Sequence, residues 1–385
     1  MRPTTRRERI TCAAALAAVL GLAPTVARGE PETAVVPLHL FEIGGGQLKV
    51  GIEIRLGGGA LQLYTFDTGS SGFYAAYNPA WWPSFTPAGG GTIHQEYGDG
   101  VMFDSERVRT VVGIATTAGE IEAEIEMAMI SEAWGGSLGE KGESTWLDDV
   151  AAGKPPLFDH FFGDFGSGLR EENGLFAVLP QLPGNLSSGF VVSLSCRGRS
   201  EARLVLGLTE ESRGRVTSWV PMLGAGEGRP FPGGRPTYAQ KLIAPDFVVG
   251  RGRTSYPFST EAILDTGGPT TSIKERDGLR IPDAFLERSE LPTRIRTGTR
   301  FRVTAEGVDD DFELRLVAGR VPGIDEVNVV ESTEKEFVNL GLIPFLRHDV
   351  VFDVERGLVG FAPCRSDGAR RIPLRPRGAE VLPRR

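Results

Sequence analysis

An Asp-Thr-Gly triplet stands at the end of an apolar run twice in this chain, once in each half. Leu61 to Phe66 leads into Asp67-Thr68-Gly69-Ser70-Ser71-Gly72, and Ala262-Ile263-Leu264 leads into Asp265-Thr266-Gly267-Gly268. At average residue usage roughly one chain in ten of this size carries such a triplet by accident, so a single copy says little. Two copies in one local setting, an acid delivered by a strand-like run into glycine and small residues and one in each half of the chain, are much harder to dismiss.

The rest of the chain reads as short strands. Glu120 to Met127 alternates strictly, with Ile121, Ala123, Ile125 and Met127 on one face and glutamates on the other. Similar runs occur at Leu48–Leu56, Phe190–Leu194, Arg203–Leu206, Phe247–Val249 and Phe312–Val317. Val350–Val354 and Leu358–Ala362 flank a glycine-containing turn and predict a hairpin. The fold class is therefore all-β, a sandwich or barrel-like architecture. Two short helices are expected, at Pro155–Phe162, where aromatic residues fall at helical spacing, and at Pro282–Arg288. The length, 385 residues, suffices for two domains.

The N-terminus reads as a secretory signal at residues 1–27, with a basic start, an apolar Ala-rich core and a small-residue end at Ala27. The run is short for a membrane span and is interrupted by Pro24, so no stable membrane insertion is expected. Export implies a secreted or periplasmic protein. After cleavage Cys196 and Cys364 remain, an even pair for which a disulfide and two buried thiols are both open. The formal net charge of -8 argues against nucleic acid as a partner. The histidines are scattered and no CxxC or HExxH spacing occurs, so neither a metal site nor a cofactor is expected. The Arg-rich stretch at 365–385 lacks apolar periodicity and reads as a solvated tail.

Taken in order, the motifs resemble those of the two-lobed, pepsin-like aspartic peptidases, from about Val35 to Cys364. Asp67-Thr68-Gly69-Ser70-Ser71 is similar to that family's first active-site loop, and Asp265-Thr266-Gly267 to its second. Glu96-Tyr97-Gly98-Asp99-Gly100 resembles the tip of its flap hairpin. Gly136-Ser137-Leu138-Gly139 and Asn339-Leu340-Gly341 resemble the apolar-apolar-Gly segments of the two lobes, and Pro156-Leu157-Phe158-Asp159 a following helix. The resemblance implies a bilobal β fold with an N-terminal lobe over 33–207, a C-terminal lobe over 215–364 and a cleft between them. It implies a monomer acting on polypeptide substrates, with Asp67 and Asp265 as the catalytic pair. Thr68, Gly69, Ser70, Thr266 and Gly267 would support the active-site loops. Tyr97, Gly98 and Asp99 would form the flap, and Tyr74 would stand where animal pepsins carry the flap tyrosine's tryptophan partner. It also implies a Cys196–Cys364 disulfide beneath the cleft.

The chemistry follows from charge. Two carboxyls forced together cannot both ionise cheaply, so one keeps a proton. One then draws a proton from a shared water while the other donates to the substrate carbonyl. Glycine after threonine suits a tight loop that leaves N–H groups facing the carboxylates. Asp99 places a carboxylate near the substrate and implies a preference for a basic residue before the scissile bond.

Departures from the pattern shape further expectations. Gly268 stands where a hydroxyl often supports the second aspartate, whereas Ser70 is expected to support the first, which implies a working pH less acidic than pepsin's unless Thr270 or Thr271 reaches in. Leu342 replaces a common aspartate. The few residues between Ala27 and the first strand leave no room for an inhibitory propeptide of pepsin type. Two other readings are an inactive pepsin-like protein that binds a peptide or protein in its cleft, and a sugar-binding β protein with chance triplets. The second leaves the ordered motifs unexplained.

Overall fold

In the computed structural model, residues 32–138, 142–194, 201–224, 228–276, 278–287, 292–333 and 335–364 are described. The expected signal segment 1–27, Cys196 and the tail 365–385 lie outside them, and so does the expected Cys196–Cys364 disulfide as a pair. Cys364 directly follows the last strand, Leu358–Pro363.

The described chain is mostly strand with a few short helices. Alternating apolar positions create the core: along Ala34–Gly44 the buried residues include Val36, Leu38 and Leu40. In Gly119–Gly135 the expected stripe of Ile121, Ile125 and Met127 is buried while Glu120, Glu122 and Glu124 are exposed. Burial of each such aliphatic side chain stabilises the fold by roughly 1.5–3 kcal/mol.

The functional region rises from two of the sheets, the 13-stranded and the 6-stranded. The larger joins segments from both halves of the chain. Its junction is the antiparallel pairing of Gly189–Ser193 with His348–Asp353, where Phe190 opposes Phe352 and their rings stack at 4.6 Å. The expected hairpin is present as His348–Asp353 against Leu358–Pro363. A 4-stranded and a 6-stranded sheet complete the second half.

The longest ribbon pairs Val101–Thr116 with Gly119–Gly135. Strand Thr86–Glu96 adds to its free edge, so residues 97–100 become a hairpin tip. Tyr97 N donates to Val101 O and Gly100 N to Tyr97 O, and Gly100 takes φ +85° to close the turn.

Neither expected helix forms as such. Residues 155–162 make a turn in which Leu157 pairs with Phe161, and Phe158 and Asp159 adopt positive φ. The aromatic spacing that suggested a helix instead lets Leu157 and Phe161 point into the core from one turn. At the second site only a 3-10 turn, Asp283–Phe285, is present. The longest helix, Gly142–Ala151, was not expected.

The two aspartate loops are threaded alike. Strand Leu61–Asp67 runs parallel to Gly163–Ser167, which then pairs antiparallel with Ser71–Ala76. In the second half Ala262–Ile263 runs parallel to Phe337–Asn339, which pairs antiparallel with Thr271–Glu275. Each aspartate is thus delivered by one strand of a three-strand unit whose middle strand comes from a distant segment. The middle strand of the first unit is Gly163–Ser167, not the Gly136-Ser137-Leu138-Gly139 segment expected from its motif. Gly136–Leu138 is a 3-10 turn following the long ribbon. A pattern of small and apolar residues before glycine is too common to identify a strand whose position is set by remote pairing.

Candidate functional site

Phe66 and Phe165 are buried side by side behind the first loop, and Phe73 meets Phe165 edge-on at 5.0 Å. This apolar floor holds the end of Leu61–Asp67 rigidly, and Asp67 emerges from it only 8 % exposed. Asp265 leaves its own strand at 9 % exposure.

Thr68 and Thr266 face inward and join the loops. Thr68 Oγ1 donates to Leu264 O at 2.7 Å and accepts from Thr266 N at 3.1 Å. Thr266 Oγ1 donates to Phe66 O at 2.6 Å and accepts from Thr68 N at 3.0 Å. Four buried hydrogen bonds therefore fix two segments far apart in sequence and bring the carboxyls of Asp67 and Asp265 together, each against the glycine of the other loop.

The glycines serve a different need from the one read in the sequence. Gly69 and Gly267 do not take positive φ. A Cβ on Gly69 would stand 2.5 Å from the Asp265 carboxyl carbon, and one on Gly267 2.5 Å from Asp67 Oδ2. Each glycine makes room for the other loop's aspartate. The expected N–H contact is also present, with Gly69 N donating to Asp67 Oδ1 at 2.6 Å and Gly268 N to Asp265 Oδ1 at 2.8 Å.

Support for the two carboxyls is distributed otherwise than expected. Ser70 Oγ donates to Asp164 Oδ2 at 2.7 Å rather than to Asp67. On the other side the amide of Asn339 donates to Asp265 Oδ2. Gly268 leaves no space for a hydroxyl, since its Cβ would lie 2.8 Å from Asp265 Oδ2. Neither threonine substitutes: Thr270 Oγ1 accepts from Asn328 and Thr271 Oγ1 donates to Leu340 O. Asp265 is thus the aspartate with a side-chain donor.

Burial, first, and the neighbouring Asp67 push Asp265 up to about 7, against the opposing pull of Asn339 and Lys49. Lys49, on the strand Gln47–Leu56, reaches the second loop and donates to Gly267 O at 2.5 Å, with its ammonium 4.8 Å above the Phe158 ring.

A pocket opens beside Asp67, walled by Tyr97, Asp99, Phe103, Phe158 and Asp164 among others. Tyr97, on the hairpin tip, is half-buried, and its hydroxyl lies 3.2 Å from Asp164 Oδ2. Tyr74 is fully buried behind it, edge-on at 6.4 Å, with its hydroxyl donating to Gln95 Oε1. It braces Tyr97 rather than facing the pocket. Gly98 and Asp99 are exposed at the tip, and Asp99 Oδ1 accepts from Val101 N.

Three contributors escaped the sequence reading. Asp164 had a visible signal, an acid between Gly163 and Phe165 in an apolar stretch, much as Asp67 follows Phe66. Asn339 stands in the Asn339-Leu340-Gly341 segment with nothing to single it out, and Lys49 shows no distinguishing pattern. Among the described residues no group of three or more His, Cys, Asp and Glu is placed to hold a metal ion, and no helix is long and apolar enough to cross a membrane. No protein-family model matches this chain, and no curated protein does.

Proposed function

We propose that this chain is an aspartic endopeptidase of the pepsin-like, two-lobed kind, hydrolysing peptide bonds in extended polypeptides with a water activated between Asp67 and Asp265. The observation that carries the reading is the pair of buried carboxyls brought together by equivalent, cross-bonded loops. The 13-stranded sheet would be the floor common to both lobes. The reading includes export through the N-terminal signal, delivery outside the cytoplasm and action as a monomer.

The chemistry uses the proton the pair shares. One carboxylate takes a proton from water as its oxygen attacks the scissile carbonyl carbon, and the protonated partner donates to the carbonyl oxygen. The tetrahedral adduct then collapses: the C–N bond breaks as the carbonyl re-forms, a carboxyl proton passes to the leaving amine, and a hydroxyl proton of the adduct returns to the other carboxylate, which leaves the pair with its single proton. The roles belong to the pair, because the proton is not owned by either residue. Tyr97 on its hairpin would close over the substrate and exclude bulk water.

The test is cleavage of a denatured protein across about pH 3 to 7, with and without a statine-type inhibitor. Inhibitable cleavage reduced at least a hundredfold by Asp67→Asn and by Asp265→Asn supports the reading. Cleavage that survives either substitution overturns it.

A further inference from the structure

The middle strands of the two three-strand units put different side chains at one structural position. In the first unit Asp164 pairs with Thr65, two residues before Asp67. In the second Asn339 pairs with Ile263, two residues before Asp265. Asn339 donates to Asp265 Oδ2. Asp164, its counterpart, is 5 % exposed and next to Asp67.

We propose that Asp164 is a positioning residue that works as a neutral acid, the first unit's equivalent of the Asn339 amide, holding Tyr97 and Ser70 in place beside Asp67 without adding a charge there. This rests on the peptidase reading of the same site.

The hydrogen bonds allow a complete assignment. Asp164 Oδ2 accepts from Ser70 Oγ at 2.7 Å and from Tyr97 OH at 3.2 Å. Asp164 Oδ1 is hydrogen-bonded to Thr65 Oγ1, which also lies 3.2 Å from Gly163 O. A hydroxyl has one proton. With that proton on Gly163 O, Thr65 Oγ1 is free to accept, and a protonated Asp164 Oδ1 donates to it. The polar atoms of Asp164 and Thr65 are then satisfied with no charge on Asp164. An ionised Asp164 would instead set a second carboxylate against the dyad in a buried site, an arrangement that is costly without a matching cation.

The groups facing Asp164 agree. From the neighbouring strands come Asp67 and Tyr74, from the hairpin tip Tyr97 and Asp99, and from Gln47–Leu56 the side chain of Lys49. Lys49 is the cation that acts on Asp164, with its ammonium engaged by Gly267 O and the Phe158 face, while Arg170 beside Tyr74 is paired with Glu172. Burial above all, and then the charge of Asp67, push Asp164 well above the ordinary carboxylate range, outweighing the opposite pull of Thr65, Ser70 and Lys49. The consequence for function is that Tyr97 is tethered by a neutral acceptor, so the hairpin tip stays over the pair while the pair's own proton comes and goes.

An asparagine at 164 offers the same donor and acceptors, so the decisive comparison is Asp164→Ala against Asp164→Asn. The full-length protein is assayed for kcat/KM on a peptide across pH, and its infrared difference spectrum against Asp164→Asn is taken near about pH 6. Asp164→Ala is expected to lose about tenfold or more, mainly in kcat, since Tyr97 and Ser70 lose their acceptor. Asp164→Asn is expected to recover to within about fivefold of the parent with both limbs of the pH profile in place. The parent is expected to show a protonated-carboxyl stretch that vanishes in Asp164→Asn, the pair's own proton cancelling in the difference.

The proposal is overturned if Asp164→Asn is as impaired as Asp164→Ala, if its limbs move about one pH unit towards acid, as loss of a real charge beside Asp67 would cause, or if no such stretch is lost. If Asp164→Ala does not fold, the profile and spectrum of Asp164→Asn decide alone. If the parent cleaves nothing under any condition, the peptidase reading fails, while the infrared difference still decides the protonation of Asp164.

Discussion

Thr68 and Thr266 hold each other's loops by mirror-image bonds: each hydroxyl donates to the carbonyl two residues before the other threonine and accepts from that threonine's own amide. The pairing of Asp67 with Asp265 depends on this cross-link, because no covalent or strand contact joins the two triplets directly. Replacing either threonine with valine keeps the shape but leaves a buried carbonyl and a buried amide without partners. Each substitution is expected to cost about 2–4 kcal/mol in urea denaturation. The double variant should cost clearly less than the sum, since both bond pairs tie the same two loops. Strict additivity would mean that the loops are held independently.

The glycines of the triplets make a second, steric prediction. Gly69→Ala and Gly267→Ala each drive a methyl group into the opposite aspartate. Such overpacking typically costs about 1–3 kcal/mol, and because it displaces the carboxyl itself, kcat should fall at least tenfold while circular dichroism stays unchanged. Gly233→Ala, where nothing lies within 4 Å of the new Cβ, serves as the control and should leave both stability and cleavage as they were.

A pH dependence follows from Asp265. Its folded value of about 7 lies above the ordinary aspartate value of 3.8. The group's contribution to stability is therefore full below about 4 and is lost as pH rises through about 7. Asp265→Asn cannot ionise and escapes that loss, so its melting temperature should gain on the parent's between those limits and then level off. Cleavage by the parent should decline about tenfold per pH unit above about 7, when the pair has lost its proton. A profile peaking near about pH 2, or a melting-temperature difference flat across the range, would contradict the assignment.

Asp99 faces the pocket from the exposed hairpin tip. An exposed charge pair is worth roughly 0.2–1 kcal/mol. The preference for lysine over leucine before the scissile bond is accordingly expected to be about two- to fivefold and to vanish in Asp99→Ala. Paired fluorogenic peptides measure it, and an unchanged ratio in the variant would remove Asp99 from substrate choice.

The parts legible in the sequence are those encoded by neighbours. Glu120 to Met127 shows its buried stripe by alternation alone, and the hairpin around Gly357 is marked by two apolar runs and a turn. The triplets Asp67-Thr68-Gly69 and Asp265-Thr266-Gly267 announce themselves by repetition. Where the reading went astray, local pattern was ambiguous. The aromatic residues of 155–162 fit a helix and a turn equally well, and Gly136–Leu138 resembles the start of an apolar-apolar-Gly segment yet forms a 3-10 turn.

By itself, then, the sequence determined a chain of short strands and turns with one acid at the end of a strand in each half. Alternation and turn chemistry act over a few residues and need nothing distant. Only the tertiary structure decided which groups serve those acids. Ser70 could bond Asp67 as readily as any other acceptor until Gly163–Ser167 is laid parallel to Leu61–Asp67 and brings Asp164 within reach. Asn339 likewise reaches Asp265 only because Phe337–Asn339 returns beside Ala262–Ile263. Parallel neighbours come from remote segments, and their register is set by packing of the whole sheet. The polar environment of the aspartates is therefore a property of the assembled fold rather than of the motifs that mark them.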